Sequence, residues 1–363
     1  MKIKKIRLVN FRNYKNQTVY LKNGLNILLG ANAQGKTNLL EAIYFSCIAK
    51  SPRTKKEAEL INWKQESAKI EIELEKKEGT KLVEVYLYKK GKKNIKINGI
   101  NVLKISELIG VLNCVFFSPD ELKLVKDAPQ DRRRFMDIDL SQLSKNYFYL
   151  INTYNKVLAQ RNKLLKDTND YNVLKKTISI WDSQLADVGS KIIIRRVRFL
   201  NALKLHAKNV HNELTSKKEN LELSYEGIVE DTVENIKQRL LSEYNKNLQK
   251  DFKLGFTTIG PHRDDIKILI NDIDVKTYAS QGQQRTVALS LKLAELEIFA
   301  SETGEYPILL LDDVLSELDE QRSDKLLEKT KSVQTLITTT TFNKSKKVNL
   351  LKVKDGSIIN KKE

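Results

Sequence analysis

The sequence predicts an α/β protein of two lobes: a sheet-bearing lobe split between residues 1–118 and 251–363, and a mainly helical lobe inserted at 119–250. Three observations carry this. The runs Leu25 to Leu29, Asn26 apart, and Ile308 to Leu311 are short and apolar, as strands buried on both faces of a parallel sheet are. Between them, Ile70, Ile72 and Leu74, then Val83, Val85 and Leu87, alternate with polar residues at the period of a half-buried antiparallel patch. From Tyr147 to Val210 the apolar residues recur at three and four, which gives two long helices forming a short antiparallel pair.

Taken in order, Ile3, Ile6 and Leu8 among Lys4, Lys5 and Arg7 open a strand. Glu78-Gly79 is read as a turn, and Asn98-Gly99 supplies the positive φ of a two-residue hairpin. The texture changes near Pro119. A strand-like segment around Leu221 to Tyr225 and a third helix over about 232–250 follow the helical pair, and the α/β lobe resumes near Leu254.

Lys and Arg number 64 against 46 Asp and Glu, a formal charge of +18 over 363 residues. Such an excess fits a polyanionic partner, nucleic acid first, although a lysine-rich proteome would also produce it. No stretch of about 18 apolar residues is present, so a soluble, cytoplasmic chain with no membrane partner is expected. Cys47 and Cys114 form no CxxC pair, and three scattered histidines offer no zinc ligand set, so both thiols are read as reduced core residues.

Gly30-Ala31-Asn32-Ala33-Gln34-Gly35-Lys36-Thr37 fits G-x-x-x-x-G-K-[ST], placed directly after an apolar strand and before a helix that opens with Asn38. Glycines let backbone amides approach phosphate oxygens, and the helix N-terminus adds partial positive charge. Lys36 is read as the β- and γ-phosphate ligand of ATP and Thr37 as a Mg2+ ligand. Asp312 and Asp313 end the second apolar strand, at the edge where parallel sheets bind nucleotides. Asp312 is the second metal ligand; Asp313, with Lys36, is assigned to catalysis, orienting or deprotonating the attacking water. An acidic cap before a helix is the plainer reading of that pair.

Ser280, Gln281, Gly282 and Gln283 precede a buried helix and resemble the signature of ABC-type ATPases, and Ser316-Glu317-Leu318-Asp319 is similar to their S-x-L-D loop. Further segments narrow the resemblance: Asn10-Phe11-Arg12-Asn13-Tyr14, Ser51-Pro52-Arg53-Thr54, Phe117-Ser118-Pro119-Asp120, Arg132 to Asp137, and Gly260-Pro261-His262-Arg263-Asp264-Asp265. Together, from residue 3 to about 341, they are similar to the RecF family of bacterial recombination and gap-repair ATPases. Ala33 stands where many relatives carry glycine, and Asp313 replaces the glutamate of transport ATPases.

The resemblance implies an ABC-type head that binds ATP and Mg2+ and hydrolyses ATP slowly, without nuclease activity. It implies a homodimer when ATP is bound, with Ser280, Gln281, Gly282 and Gln283 contacting the γ-phosphate in trans and Ser316 and Asp319 in the D-loop. It also implies sequence-independent binding of gapped or junction DNA, recombinase loading, and RecR and RecO as partners. Arg12, Arg53 and Thr339 are expected near the nucleotide. Lys4, Lys5, Arg132, Arg133, Arg134, Arg195, Arg196 and Arg198 are the candidate DNA contacts, each equally readable as a solvated charge. An SMC-like chromosome-organising head and a transport-type ATPase subunit remain the alternatives.

Overall fold

The structure, a computed structural model, describes residues 1–342 and 348–360. The chain divides into two compact units. One comprises Met1–Leu122, Glu213–Lys217 and Ala288–Glu363; the other comprises Lys123–Asn212 and Lys218–Val287.

The first unit holds two six-stranded sheets. One is antiparallel: Tyr14–Tyr20, Lys2–Phe11, Ser67–Lys76, Gly79–Tyr88, Asn94–Ile97 and Ile100–Asn101, in spatial order. In the other, Asn349–Lys354, Leu25–Leu29, Thr335–Thr339, Ile308–Asp312 and Cys114–Phe117 run parallel, with Ser357–Asn360 antiparallel at one edge. The helix Lys36–Ile48 shares one core with both sheets. Leu39, Leu40, Ile43 and Phe45 pack with Ile6 and Ile72 of the antiparallel sheet and with Leu310 and Leu336 of the parallel one. A helix covered on both sides needs apolar residues all round, which is why its sequence lacks a polar stripe.

Local details follow the residues. Ile3 and Ile6 are both buried although three apart, because the pairing register shifts between Ile3 and Lys5 and the extra residue returns Ile6 to the core face. Asn98 and Gly99 adopt φ of 50° and 80°, as the hairpin dipeptide requires. The preceding turn lies one residue earlier than the sequence reading put it: Lys77 and Glu78 form it, and Gly79, at φ 109°, already pairs with Lys76.

The second unit contains the helices Pro129–Leu143, Lys145–Asp167, Ser179–Leu214 except its last two residues, and Val233–Leu254, with Thr232 capping the last through Asn235 N–H. It also contains a three-stranded antiparallel sheet, Ile273–Asp274, Asp265–Ile270 and Leu221–Glu226. The sequence reading assigned residues 251–287 to the sheet-bearing lobe. Strand 265–270 pairs instead with 221–226, so this stretch sits in the second unit.

A buried ion network pins three helices of that unit. Arg161, with 0% exposure, donates to Asp182 at 2.6 Å, Asp251 at 2.7 Å and Thr257 at 2.8 Å, and lies 5.1 Å from the Tyr244 ring. Removing one partner of a buried ion pair leaves the other charge without compensation, at about 3–5 kcal/mol. Arg161→Ala is therefore expected to lower the free energy of urea unfolding by about that amount.

Candidate functional site

The phosphate loop is held from behind by a hairpin turn. At the turn between the first two strands, Asn13 Nδ2 donates to the Gln34 carbonyl at 2.9 Å, and its Oδ1 accepts from Asn38 Nδ2 at 2.8 Å. The Tyr14 hydroxyl donates to the Gly35 carbonyl at 2.9 Å. Both motif glycines are demanded by close approach. A Cβ on Gly30 would lie 2.3 Å from the Val353 carbonyl oxygen, and one on Gly35, at φ 112°, 2.5 Å from the Asn13 amide. Ala33 occupies φ 64°, a left-handed conformation costing a non-glycine residue about 1 kcal/mol, which explains why glycine suits that position.

Within this frame a cleft of about 340 Å3 opens at the C-terminal edge of the parallel sheet. It is lined by Asn32, Ala33, Gly35, Lys36, Thr37 and Asn38 from the loop and helix start, and by Arg53, Asp312, Asp313 and Thr338. Lys36 Nζ donates to the carbonyls of Gly30 and Ala31 at 2.7 and 2.8 Å. Burial pulls its pKa down, against the opposing pull of Asp313 and Asp312.

Asp312 Oδ1 accepts two hydrogen bonds, from Thr37 Oγ1 at 2.8 Å and Thr338 Oγ1 at 2.7 Å. Burial raises the Asp312 pKa, and the hydroxyls of Thr338 and Thr37 and the Arg53 charge act to lower it. Asp313, at φ 52°, donates its backbone N–H to Thr338 Oγ1 at 2.8 Å. Its Oδ1 is buried with no hydrogen-bond partner among the described residues.

Thr338, not Thr339, is the threonine facing this chemistry. It is the lateral pair of Asp312 in the parallel ladder, whereas Thr339 Oγ1 donates to the Thr341 carbonyl. The alternation of strand faces allows one of the two into the cleft, and sequence alone could not fix the phase of a threonine run. Arg53 lines the cleft and donates to Asn38 Oδ1 at 3.0 Å. Arg12 stands behind it, with a bidentate pair to the fully buried Glu41 at 2.8 and 2.9 Å and a third bond to the Glu59 carbonyl. Glu41, which also accepts from Ser51 Oγ at 2.6 Å, was not singled out in the sequence, because a carboxylate inside a helix carries no signal of its partner.

Ser280, Gln281 and Gly282 are exposed at the start of the helix Gln281–Thr303. Ser280 and Gln283 cap it reciprocally: Gln283 N–H reaches Ser280 Oγ at 3.2 Å, and Ser280 N–H reaches Gln283 Oε1 at 2.9 Å. Ser316 Oγ donates to the Asp313 carbonyl at 2.8 Å, and Asp319 caps the helix Glu320–Lys329.

The basic candidates separate by burial. Arg132 is buried and forked onto Asp265 at 2.6 and 2.8 Å; Arg196 is buried on Asp137 and the Pro261 carbonyl. Both are internal struts with no guanidinium face in solvent, which corrects their reading as DNA contacts. Arg133 is partly buried on the Asp264 carbonyl, Arg195 bonds Ser144 Oγ, and Lys4 pairs with Glu75. Arg134 and Arg198 are exposed, and Lys5 is half-buried.

The threonine pair on Asp312 has a measurable consequence. Each hydroxyl favours the ionised carboxylate, so deleting one raises the Asp312 pKa further. Thr338→Val is expected to move the acid limb of ATP binding in the presence of Mg2+ to higher pH, as followed by titration calorimetry across pH 5–8.

Comparison with known proteins places this geometry. Residues 2–356 match the family described as the RecF/RecN/SMC N terminal domain. The chain is 44% identical over 363 residues to the DNA replication and repair protein RecF of Clostridium novyi, covering 99% of each. It is 48% identical over 345 residues to that of Alkaliphilus oremlandii, covering 94% of this chain and 93% of the other. A solved structure of the recombination mediator protein RecF-ATPrS in the RecFOR pathway superposes with TM-score 0.91 at 37% identity, covering 99% of this chain and 98% of that one. An SMC head bound to the C-winged helix domain of ScpA shares the fold, with TM-score 0.60 at 17% identity. The chain therefore belongs to the RecF family, within the RecF/RecN/SMC group.

Proposed function

We propose that the chain is an ATP-dependent DNA-binding protein of recombinational repair, in which ATP closes two copies on DNA and slow hydrolysis releases them. The observation that carries the nucleotide site is the convergence of Lys36, Thr37, Asp312, Asp313 and Thr338 on one cleft. In support, solved relatives are described as RecF-ATP and RecF-ATPrS, at 38% and 37% identity. Loop amides and Lys36 bind the β- and γ-phosphates, while Asp313, with its unpartnered buried oxygen, orients or deprotonates the attacking water.

The residues fit Mg2+. The ion prefers oxygen ligands, takes one or two carboxylates or hydroxyls from protein, and completes its shell with phosphate and water. Thr37 Oγ1 and Asp312 would hold it, and when bound it would neutralise charge on the phosphates. The short arm of Asp313 fits a turnover below the roughly 10 per second of a median enzyme, so the ATP-bound form is long-lived.

Ser280, Gln281, Gly282 and Gln283 of one copy are assigned to the γ-phosphate held by the other, with Ser316 and Asp319 in the D-loop. Loss of that phosphate then removes the contacts that distinguish closed from open. The +18 charge fits a DNA partner bound through its backbone, and single-strand gaps, recombinase loading and RecO and RecR follow from the family assignment. Lys4, Lys5, Arg133, Arg134, Arg195 and Arg198 remain the candidate contacts.

Lys36→Ala is expected to weaken ATP binding by at least about thirtyfold, the effect of losing a charge-assisted contact. Ser280→Arg is expected to bind ATP normally and remain monomeric in sedimentation with ATP. The overall reading is tested by DNA anisotropy with ATP, with ADP and without nucleotide: affinity should be highest with ATP and fall steeply with salt. DNA affinity and dimer mass indifferent to the γ-phosphate would overturn it.

A further inference from the structure

We infer that Trp63 and the lysines around it form a docking surface for single-stranded DNA, with the indole stacking on an unpaired base; this rests on the reading that the chain binds DNA. Trp63 is 92% exposed at the tip of a loop leading into strand Ser67–Lys76. So large an aromatic ring held in water presents a flat face on which a planar group of a partner can stack.

The setting identifies the partner's chemistry. Strand Gly79–Tyr88 ends opposite Ser67, and the lysine-rich loop that follows returns to this tip: Lys89 N–H bonds the Glu66 carbonyl at 3.0 Å, and Lys89 Nζ bonds the Trp63 carbonyl at 3.1 Å. Lys64, next to Trp63 in the chain, and Lys90 and Lys92, in the loop whose Lys89 bonds the Trp63 carbonyl, are exposed and form no ion pair among the described residues, while Lys89 pairs with Glu66. Tyr88, 42% exposed, adds a second aromatic ring at the same end of the sheet. Unpaired lysines on the same and the adjoining loop as an exposed indole fit a strand of phosphates with accessible base faces, because stacking tolerates any base and lysines track the backbone. A base already paired inside a duplex offers no face to the ring, which points to single-stranded DNA rather than duplex.

This surface is also wired to the nucleotide loop. Asn62 N–H and Nδ2 bond the carbonyls of Asn10 and Arg12, and Asn10 Nδ2 reaches Gln65 Oε1 at 3.4 Å. The hairpin so engaged is the one whose Asn13 holds Gln34 of the phosphate loop.

Trp63 and Trp181 are the two tryptophans of the chain, so Trp181→Phe leaves emission that reports Trp63 alone. A thymidine oligomer of about 20 nucleotides, long enough for such a site, is expected to quench this emission in step with binding followed by anisotropy of a labelled strand. A blunt duplex of the same length is expected to quench it weakly. In the otherwise native chain, Trp63→Ala should weaken single-strand binding about tenfold while leaving ATP affinity unchanged. Replacing Lys90 and Lys92 together by alanine should reduce the slope of log affinity against log salt by about 1.4. Unquenched Trp63 emission, with single-strand affinity as high in Trp63→Ala as in the native chain, would overturn this surface and leave DNA binding elsewhere on the chain standing. Equal quenching by the blunt duplex would overturn the unpaired base, and absence of DNA binding by the native chain would overturn both readings.

Discussion

The arrangement of the whole nucleotide cleft turns on one carboxylate oxygen. Asp312 Oδ1 accepts from Thr37, at the first turn of the helix behind the phosphate loop, and from Thr338, on the neighbouring strand. Three segments far apart in sequence are thereby drawn to one point at the C-terminal edge of the parallel sheet. The geometry depends on strand order: Thr335–Thr339 lies between Leu25–Leu29 and Ile308–Asp312, so its outgoing end bridges the loop strand and the carboxylate strand. A buried carboxylate would otherwise drift towards its neutral form, and two hydroxyl donors oppose that drift.

Behind the cleft, a second carboxylate plays the structural counterpart. Glu41 is fully buried in the helix that follows the phosphate loop and is neutralised by the fork of Arg12, with Ser51 as an added donor. Arg12 also binds the Glu59 carbonyl, so hairpin, helix and the segment after the helix are tied at one side chain. Its neighbours Asn13 and Tyr14 hold the carbonyls of Gln34 and Gly35. The short segment Asn10 to Tyr14 is thus a clamp on the phosphate loop, and the Trp63 loop hangs from the same clamp through Asn62. Hydrogen bonds and the short hairpin backbone thus join the outer loop to the phosphate loop.

Much of this was readable in the residues, for identifiable reasons. Gly30 to Thr37 and the apolar runs on either side of the chain are dictated by backbone geometry and burial, which leave a direct imprint on residue type. Asn98-Gly99 was equally plain, since few pairs adopt two positive φ values in succession. What escaped was phase and burial of polar groups. Thr338 and Thr339 are identical to any propensity argument, and their difference comes from pairing with Asp312. Arg132 and Arg196 carry the same charge as their exposed neighbours, and helical spacing with distant carboxylates turned them inwards. Strand 265–270 joined the second unit through a partner more than 30 residues earlier, a contact that local periodicity cannot encode.

Thr37 and Asp312 are proposed to hold one metal ion beside the phosphates bound by Lys36. Electron paramagnetic resonance of Mn2+ with ATP tests this most directly. The native chain should bind the Mn2+–ATP pair with the ion immobilised, and Asp312→Asn and Thr37→Val should each return it to the spectrum of Mn2+–ATP in solution while retaining a folded core. Undiminished metal immobilisation in both variants would contradict the account.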